Sequence, residues 1–508
     1  MPNANRAAAD RRRAVFLLLP AIVLGALSSL ACADARTAER GAAGFQDLHA
    51  SWVDAAETFG IPGMAIAIIT ADGKVQYDVF GLRDIERKLP VRSSTRFYIA
   101  SCTKPFVAGA TRMLAEKGAL DLDAPVKRYL PRFEVADPEM SRTLTVRDLL
   151  SHRKGLASWP ITFGEAFTGQ MTEDRYYRLL GRVQPENQFH YSNLHFTLTG
   201  RVLEAVTGKS WKTVLQEEVF APAGMTRTTC SATLANADQD VATGYRLRGG
   251  KPDAGGVKKT DETMHAAGGM FSTVEDLARW LQLQLGDGAV GGRRVWSEAV
   301  VRDVRQPQVK FTDKHPLDAE QSRTGWGLGW ELRDFHGVPM VTHGGHYEGD
   351  TAYMTFVPDR HVGVAIVANA GDPSMYVVEA IGAQIFERLL GIKGPNLVER
   401  AVGAVGKLSS RREEFDSGGE GPPGPSRPSA AYVGRFVDDD WGTLEVYGAG
   451  KELKARIGNL PVAITWTGPD AFDAGDGRHG TFIVDANGAV SAVRLGMPSP
   501  DTATFERR

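Results

Sequence analysis

Ser101-Cys102-Thr103-Lys104 sets a hydroxyl and an amine three residues apart, a spacing that puts both side chains on one face of a helix. A serine hydroxyl is a poor nucleophile until a neighbouring base takes its proton. A lysine serves as that base when burial or other cations keep it neutral. The flanking residues put Ser101 at a helix start. Phe97-Tyr98-Ile99-Ala100 reads as strand-like or extended, whereas Phe106, Ala110, Met113 and Leu114 recur at helical spacing until Gly118 supplies a stop. Pro105 suits a first helical turn, where a missing N–H costs nothing. Unpaired N–H groups and the positive end of the helix dipole at such a place favour negative charge as it develops. Ser151-His152-Arg153-Lys154 repeats the pattern. It closes a helix over Thr145 to Leu150 that opens with a Thr145/Asp148 capping box, so Ser151 is read as a polar helix end.

Two later stretches can serve the first pair. Tyr191-Ser192-Asn193 offers a phenol that could act as base if the charge of Lys104 stabilised its phenolate. Asn193 could orient Lys104 and hold a substrate amide, or cap the helix that follows. In His343-Gly344-Gly345-His346 the paired glycines would let a strand edge approach a substrate backbone closely. His343 and His346 also make a His-x-x-His match, but the glycines and the missing third ligand speak against a metal site, so no metal and no cofactor are expected. His152, His195 and His265 are read as structural.

In order and rough spacing, these three elements resemble the motifs of the serine β-lactamase and penicillin-binding-protein superfamily, most closely its class C-like esterase and D-aminopeptidase branch. Framework segments share the likeness: Ile61-Pro62-Gly63-Met64-Ala65, Leu149-Leu150-Ser151-His152, Ala266-Ala267-Gly268-Gly269-Met270 and Gly325-Trp326-Gly327-Leu328-Gly329-Trp330. The resemblance covers roughly Phe45 to Leu390. It implies Ser101 as the acyl-accepting nucleophile, Lys104 and Tyr191 as the proton-handling groups, and Asn193, His343, Gly344, Gly345 and His346 as substrate-binding or oxyanion residues. The N–H groups of Ser101 and His346 would form the oxyanion hole. Two departures stand out. His-Gly-Gly replaces the usual Lys-Thr-Gly, and there is no Ser-Asp-Asn motif of the class A kind.

The implied activity is that of an exported serine hydrolase forming an acyl-enzyme on an ester or amide, in the manner of an esterase. The rivals are a D-aminopeptidase or other serine peptidase on peptide fragments, and a penicillin-binding sensor that is acylated without turnover. A histidine with a reference pKa near 6.5 would pair with a substrate carboxylate only below about pH 6.5, so uncharged substrates are expected. The net charge of −2 and pI of about 6.6 leave no basic footprint for nucleic acid.

These residues need elements to hold them. The expected fold is α+β: a β-lactamase-like antiparallel sheet flanked by helices, plus a helical subdomain, followed by a small all-β C-terminal domain. Phe45, Leu48, Trp52, Ala55 and Phe59 make one face of a first helix. Strands are predicted at Met64 to Thr70 and Val75 to Phe80 around an Asp72-Gly73 turn. Others are predicted at Gly327 to Arg333, Met340 to His343, Thr351 to Val357 and Val362 to Asn369. Between these two sets the signals are mainly helical, including a helix capped by Ser272 with Glu275. The domain boundaries expected are 1–33 for a signal peptide, 40–395 for the hydrolase domain, 396–429 for a Pro/Gly-rich linker and 430–508 for the β-domain. Arg11, Arg12 and Arg13 before an apolar run and Ala31-Cys32-Ala33 carry the export reading. Cys32 gives a competing lipoprotein reading, against which stands Ser29 where a bulky aliphatic residue belongs. Neither leaves a stable membrane span, and the destination is periplasmic or secreted. Cys102 is expected to be a buried free thiol. The β-domain is expected to be dispensable for the chemistry.

Overall fold

The computed structural model describes residues 44–248, 250–254, 256–315, 318–403, 424–449, 452–475, 477–498 and 501–508. The signal segment and Cys32, and residues 404–423 of the expected linker, lie outside the described residues.

Alternating apolar residues from the two ends of the catalytic region build one sheet. Its N-terminal strands are β1 (Gly63–Ile69), β2 (Val75–Asp84) and β3 (Leu89–Pro90). The later strands are β4 (Val309–His315), β5 (Asp318–Trp326), β6 (Glu331–Phe335), β7 (Val338–Tyr347), β8 (Asp350–Val357) and β9 (Val362–Ala368). The spatial order is β4-β5-β6-β7-β8-β9-β1-β2-β3. All neighbours are antiparallel. Met64 pairs with Ala368 and Ile69 with Gly363, so the first strand closes against the last. The Asp72-Gly73 turn joins β1 to β2, with Gly73 at φ +80°, a conformation that favours glycine.

The period-2 pattern of β1 explains why the sheet is covered on both faces. Ala65, Ala67 and Ile69 enter the core shared with the helical half. Met64, Ile66 and Ile68 enter a second core under α1 (Gln46–Thr58), where Trp52 is fully buried. On the first face lie α2 (Lys104–Glu116), α3 (Val146–Ser151), α4 (Asn193–Thr207) and α5 (Val274–Leu285). Phe106 of α2 stacks on Trp280 of α5 with centroids 4.1 Å apart, a contact worth about 1 kcal/mol beyond the area it buries. The helix α6 (Ser374–Leu390) completes the second face.

Several expectations change. Gly327 to Trp330 is loop rather than strand, because Gly329 turns at φ +75° to lie against α2. The strands β4 and β5 were not foreseen. They are rich in charge and largely exposed along β4, so they lack the alternation that marks a half-buried strand. The cap of α5 is Thr273, which accepts from Asp276 N, while Ser272 belongs to a two-residue strand. The described residues 397–403 are helical, and Leu397, Val398 and Ala401 are buried in the second core.

The C-terminal region is a nine-stranded antiparallel sheet from Gly434 to Arg507. Its apolar residues share a continuous cluster with Tyr98, Phe163, Tyr347 and Phe271 of the catalytic region. Among the described residues no helix is long and apolar enough to cross a membrane.

Candidate active site

Phe97-Tyr98 pairs with Phe271-Ser272, and Ile99 N–H donates to Met270 O at 3.0 Å, so the approach to Ser101 is tied to the segment before α5. The chain then turns sharply. Ala100 has φ +45°, a left-handed conformation costing a non-glycine residue roughly 1–3 kcal/mol. A 3₁₀ turn over Ala100–Thr103 follows and runs directly into α2. Ser101 thus sits one turn before the α-helix proper, with Lys104 as its first residue.

Lys104 Nζ lies 2.9 Å from Ser101 Oγ, 2.8 Å from Asn193 Oδ1 and 2.8 Å from Ala267 O. All three partners are uncharged, and the side chain is fully buried. Burial therefore holds its pKa well below the ordinary lysine value. Lys104 Nζ is placed to donate to all three acceptors; in the neutral form that burial favours, Asn193 Oδ1 and Ala267 O take its two hydrogens and the lone pair turns to the Ser101 O–H.

The Tyr191 ring lies 4.8 Å from Lys104 Nζ, with its hydroxyl near Ser101. Desolvation raises the phenol above its ordinary value, with Ser101 only partly offsetting it, although 38% of the residue is exposed and the rise is correspondingly smaller. This favours a protonated phenol, where the sequence left open whether it or Lys104 is the proton acceptor. Asn193 is free to serve Lys104 because Ser192, not Asn193, caps α4: Ser192 Oγ accepts from Leu194 N at 3.2 Å.

The His343-Gly344-Gly345-His346 stretch lies in β7 where that strand loses its partner on one side. Pairing with β6 stops at Thr342, while pairing with β8 continues to Tyr347. The freed edge runs beside the Ser101 turn. A Cβ on Gly345 would run into Ile99 O and lie 3.0 Å from Cys102 N, so only glycine permits this approach. Cys102 Sγ donates to His343 O at 3.3 Å, which pins the turn to the strand and leaves the thiol buried and free. Gly344 faces Met375, whose Cε would be 3.3 Å from an added Cβ.

His343 is buried, and its Nδ1 donates to Gly344 O at 2.7 Å. Its Nε2 is then an unprotonated acceptor with no hydrogen-bond partner among the described residues. Burial first, and then the nearby Lys104, push its pKa down to about 3. This corrects the expectation of a charge gained below pH 6.5. His346 is exposed, with Nε2 3.6 Å from Asp372 Oδ1.

The second Ser-x-x-Lys is not assembled. Ser151 Oγ donates to Arg147 O at 2.7 Å, and Lys154 Nζ bonds Asn187. The Thr145/Asp148 capping box is present, as the sequence indicated. Sequence reasoning missed two contributors. The Ala267 carbonyl takes a hydrogen of Lys104, and the Trp326 ring stands 5.5 Å from Tyr191 and 5.6 Å from His343. Both lie in segments noted only as framework, and nothing local marks a backbone carbonyl as a ligand.

A sequence model of the Beta-lactamase family matches residues 49–385. The chain belongs to the Beta-lactamase family. Penicillin-binding protein 4 of Amycolatopsis lactamdurans is 29% identical over 354 residues, which cover 68% of this chain and 90% of that protein. The unguisins hydrolase ungD of Aspergillus violaceofuscus is 24% identical over 433 residues, covering 79% of this chain and 76% of that one. Among solved structures, the octameric penicillin-binding protein homologue from Pyrococcus abyssi superposes with a TM-score of 0.59 at 23% identity. That match covers 91% of this chain and 99% of the other, so the likeness in fold extends into the β-domain. The family is one of serine hydrolases, built on this sheet and helical half.

Proposed function

We propose that this family member is an exported acyl-serine hydrolase with Ser101 as nucleophile, Lys104 as base and Tyr191 as proton donor, acting on uncharged esters or amides. The observation that carries the reading is the fully buried Lys104, whose Nζ lies 2.9 Å from Ser101 Oγ among uncharged partners, surroundings that favour the neutral amine. In acylation the Ser101 proton passes to Lys104 as Oγ bonds to the acyl carbon, and N–H groups of Ser101 and His346 would hold the oxyanion. The Tyr191 hydroxyl supplies a proton to the leaving group, and the proton that Lys104 took from Ser101 passes to the Tyr191 oxygen, so both groups end as they began. Water then attacks the acyl carbon as Lys104 takes its proton, the bond from the acyl carbon to Ser101 Oγ breaks, and that proton passes to Ser101.

The preference for uncharged substrates rests on His343. A neutral Nε2 acceptor welcomes a hydroxyl or N–H but offers a carboxylate only a second lone pair. Turnover, rather than trapping, is favoured by the similarity to a relative named as a hydrolase. Export rests on the N-terminal arginines and apolar run alone.

A fluorophosphonate probe followed by peptide mapping should place the adduct on Ser101, with a neutral short-chain ester turned over many times per enzyme. An adduct on Ser151, or an active Ser101→Ala variant, would overturn the assignment. Stoichiometric labelling without turnover would favour the penicillin-binding sensor. A panel adding D- and L-amino-acid amides separates the esterase from the aminopeptidase.

A further inference from the structure

Behind Tyr191 lies a pair of imidazoles that the chemistry above does not use. His152 and His195 are fully buried, and their Nδ1 atoms are 2.6 Å apart. One proton must lie between two nitrogens at that distance, and the surroundings decide whose it is. His195 Nε2 lies 2.8 Å from Lys154 O. A carbonyl only accepts, so this nitrogen carries the hydrogen and His195 Nδ1 is the bare acceptor. His152 Nδ1 therefore carries the shared proton, and His152 Nε2 is left bare, without a hydrogen-bond partner among the described residues. Ser192 N–H approaches His152 Nδ1 at 3.5 Å, too long to reverse an order set by the two shorter contacts.

The backbone holds His152 in place as well. It sits at φ +56° as the left-handed cap of α3, and its carbonyl accepts from His190 N at 3.0 Å, next to Tyr191. Its ring lies 4.8 Å from the Tyr191 ring, 5.4 Å from Phe196 and 5.4 Å from Trp326. Burial holds both imidazoles well below the ordinary histidine value, His195 adding to the effect on His152, so neither adds a charge to the site. Among the described residues the shortest polar link that orients the His152 ring is its 2.6 Å bond to His195.

We propose that His152 and His195 are positioning residues for Tyr191: the His195 acceptor fixes the His152 ring, and that ring fixes the phenol against Ser101. The proposal rests on the role given to Tyr191 above. It also explains why a histidine takes the strained cap of α3, a position where glycine or asparagine would be at ease. A pair that only anchored the Lys154 loop would need the Nε2 bond, not the Nδ1 bond, and the two can be separated by substitution.

In His195→Asn the side-chain oxygen can stand near the Nδ1 position and keep the acceptor, while the bond to Lys154 O is lost. In His195→Gln the longer amide can keep the donor to Lys154 O, while the Nδ1 acceptor is lost. We expect His195→Gln to lower kcat about tenfold with KM changed less than about twofold, as for a misplaced group in the chemical step. His195→Asn should retain most of the activity. In a Tyr191→Phe background the His195→Gln effect should shrink to under about twofold, since residues acting through one another are not additive. An active His195→Gln beside an inactive His195→Asn would overturn the proposal. So would a full His195→Gln effect on top of a damaging Tyr191→Phe, which would leave the role of Tyr191 intact. Full activity in Tyr191→Phe alone would instead remove Tyr191 from the chemistry and the pair with it. Imidazole ¹⁵N spectra of the unmodified enzyme give a measurement independent of variant folding. They should show the Nδ1–H form of His152 and the Nε2–H form of His195, and the reverse tautomers would overturn the proposal.

Discussion

At the residue scale, the decisive fact is that Lys104 is buried among three uncharged partners. An ammonium there has no counter-charge among these partners, so burial lowers its pKa and favours the neutral amine that the proposed base role needs. Lys104→Ala should lower kcat/KM at least roughly a hundredfold, the usual scale of lost general-base help. A loss under about tenfold would shift the base elsewhere. The sign of the pH dependence follows. The base works only when deprotonated, and its pKa lies well below that of an ordinary lysine. Activity should therefore rise through an acid limb and hold level through pH 9, where a solvated lysine would still be mostly protonated. A profile that climbs until about pH 10.4 would mean an exposed, ordinary amine. His343 gives the second test. With its pKa near 3, the ratio of kcat/KM for a carboxylated ester to that for its neutral analogue should stay flat from pH 8 to 5. A rise below about pH 6.5 would mean that His343 titrates like a free imidazole. Ser101 and Lys104 were legible in the sequence because their spacing is local. The neutral state of His343 was not, since it depends on burial contributed by residues far away in the chain.

At the scale of elements, the site is the meeting of a helix start with a strand edge, and glycine sets their separation. Gly345→Ala would drive a methyl group into Ile99 O, which can yield only if β7 or the Ser101 turn moves. We expect about 1–3 kcal/mol of destabilisation, as for overpacking. A displacement near 1 Å between nucleophile and oxyanion strand is costly, so kcat/KM should fall roughly a hundredfold. Urea unfolding and ester kinetics on the same preparation check both; a stable, fully active variant would show that the strand edge does not frame the site. The elements best foreseen are those whose own residues enforce them. The hairpin of β1 and β2 has its Asp72-Gly73 turn, and α3 its capping box. The elements missed depend on distant partners. Strands β4 and β5 exist by pairing with each other and with β6. The Gly327 to Trp330 loop is held by α2 and by Leu150 O, which accepts from Gly329 N–H at 2.9 Å. No local pattern announces either.

At the scale of the whole molecule, the β-domain is joined to the catalytic region through the stretch from Phe163 to Arg182 and through Thr260, whose Oγ1 accepts from Asn459 Nδ2 at 2.9 Å. Thr443 N–H donates to Gln170 Oε1 at 2.8 Å, and Asn459 N–H donates to Thr168 O at 2.9 Å. The Trp441 ring meets Phe163 with centroids 5.5 Å apart. The same segment reaches the site. Phe163 stacks with Phe167, Phe167 packs on Tyr347, and Tyr347 follows His346 at the free end of β7. Ala166 O also accepts from the buried Lys259, whose Nζ lies 3.9 Å from the centre of the Tyr347 ring. The sequence gives no hint of this buttress, because each contact joins residues remote in the chain, and from sequence the β-domain looked dispensable. The contacts argue otherwise. Removing the domain would expose Phe163, Phe167 and their neighbours and withdraw support from the oxyanion end of β7. Trp441→Ala should destabilise by about 3–5 kcal/mol, the range for a buried Trp truncated to Ala. Its effect on kcat should exceed that of Phe482→Leu, a change inside the β-domain sheet. Truncation near Arg411 should give a chain of markedly lower Tm and at least roughly tenfold lower kcat/KM on a small neutral ester, as expected when a catalytic group loses its support. A truncated enzyme with full-length Tm and activity would show that the catalytic region holds its own site in register.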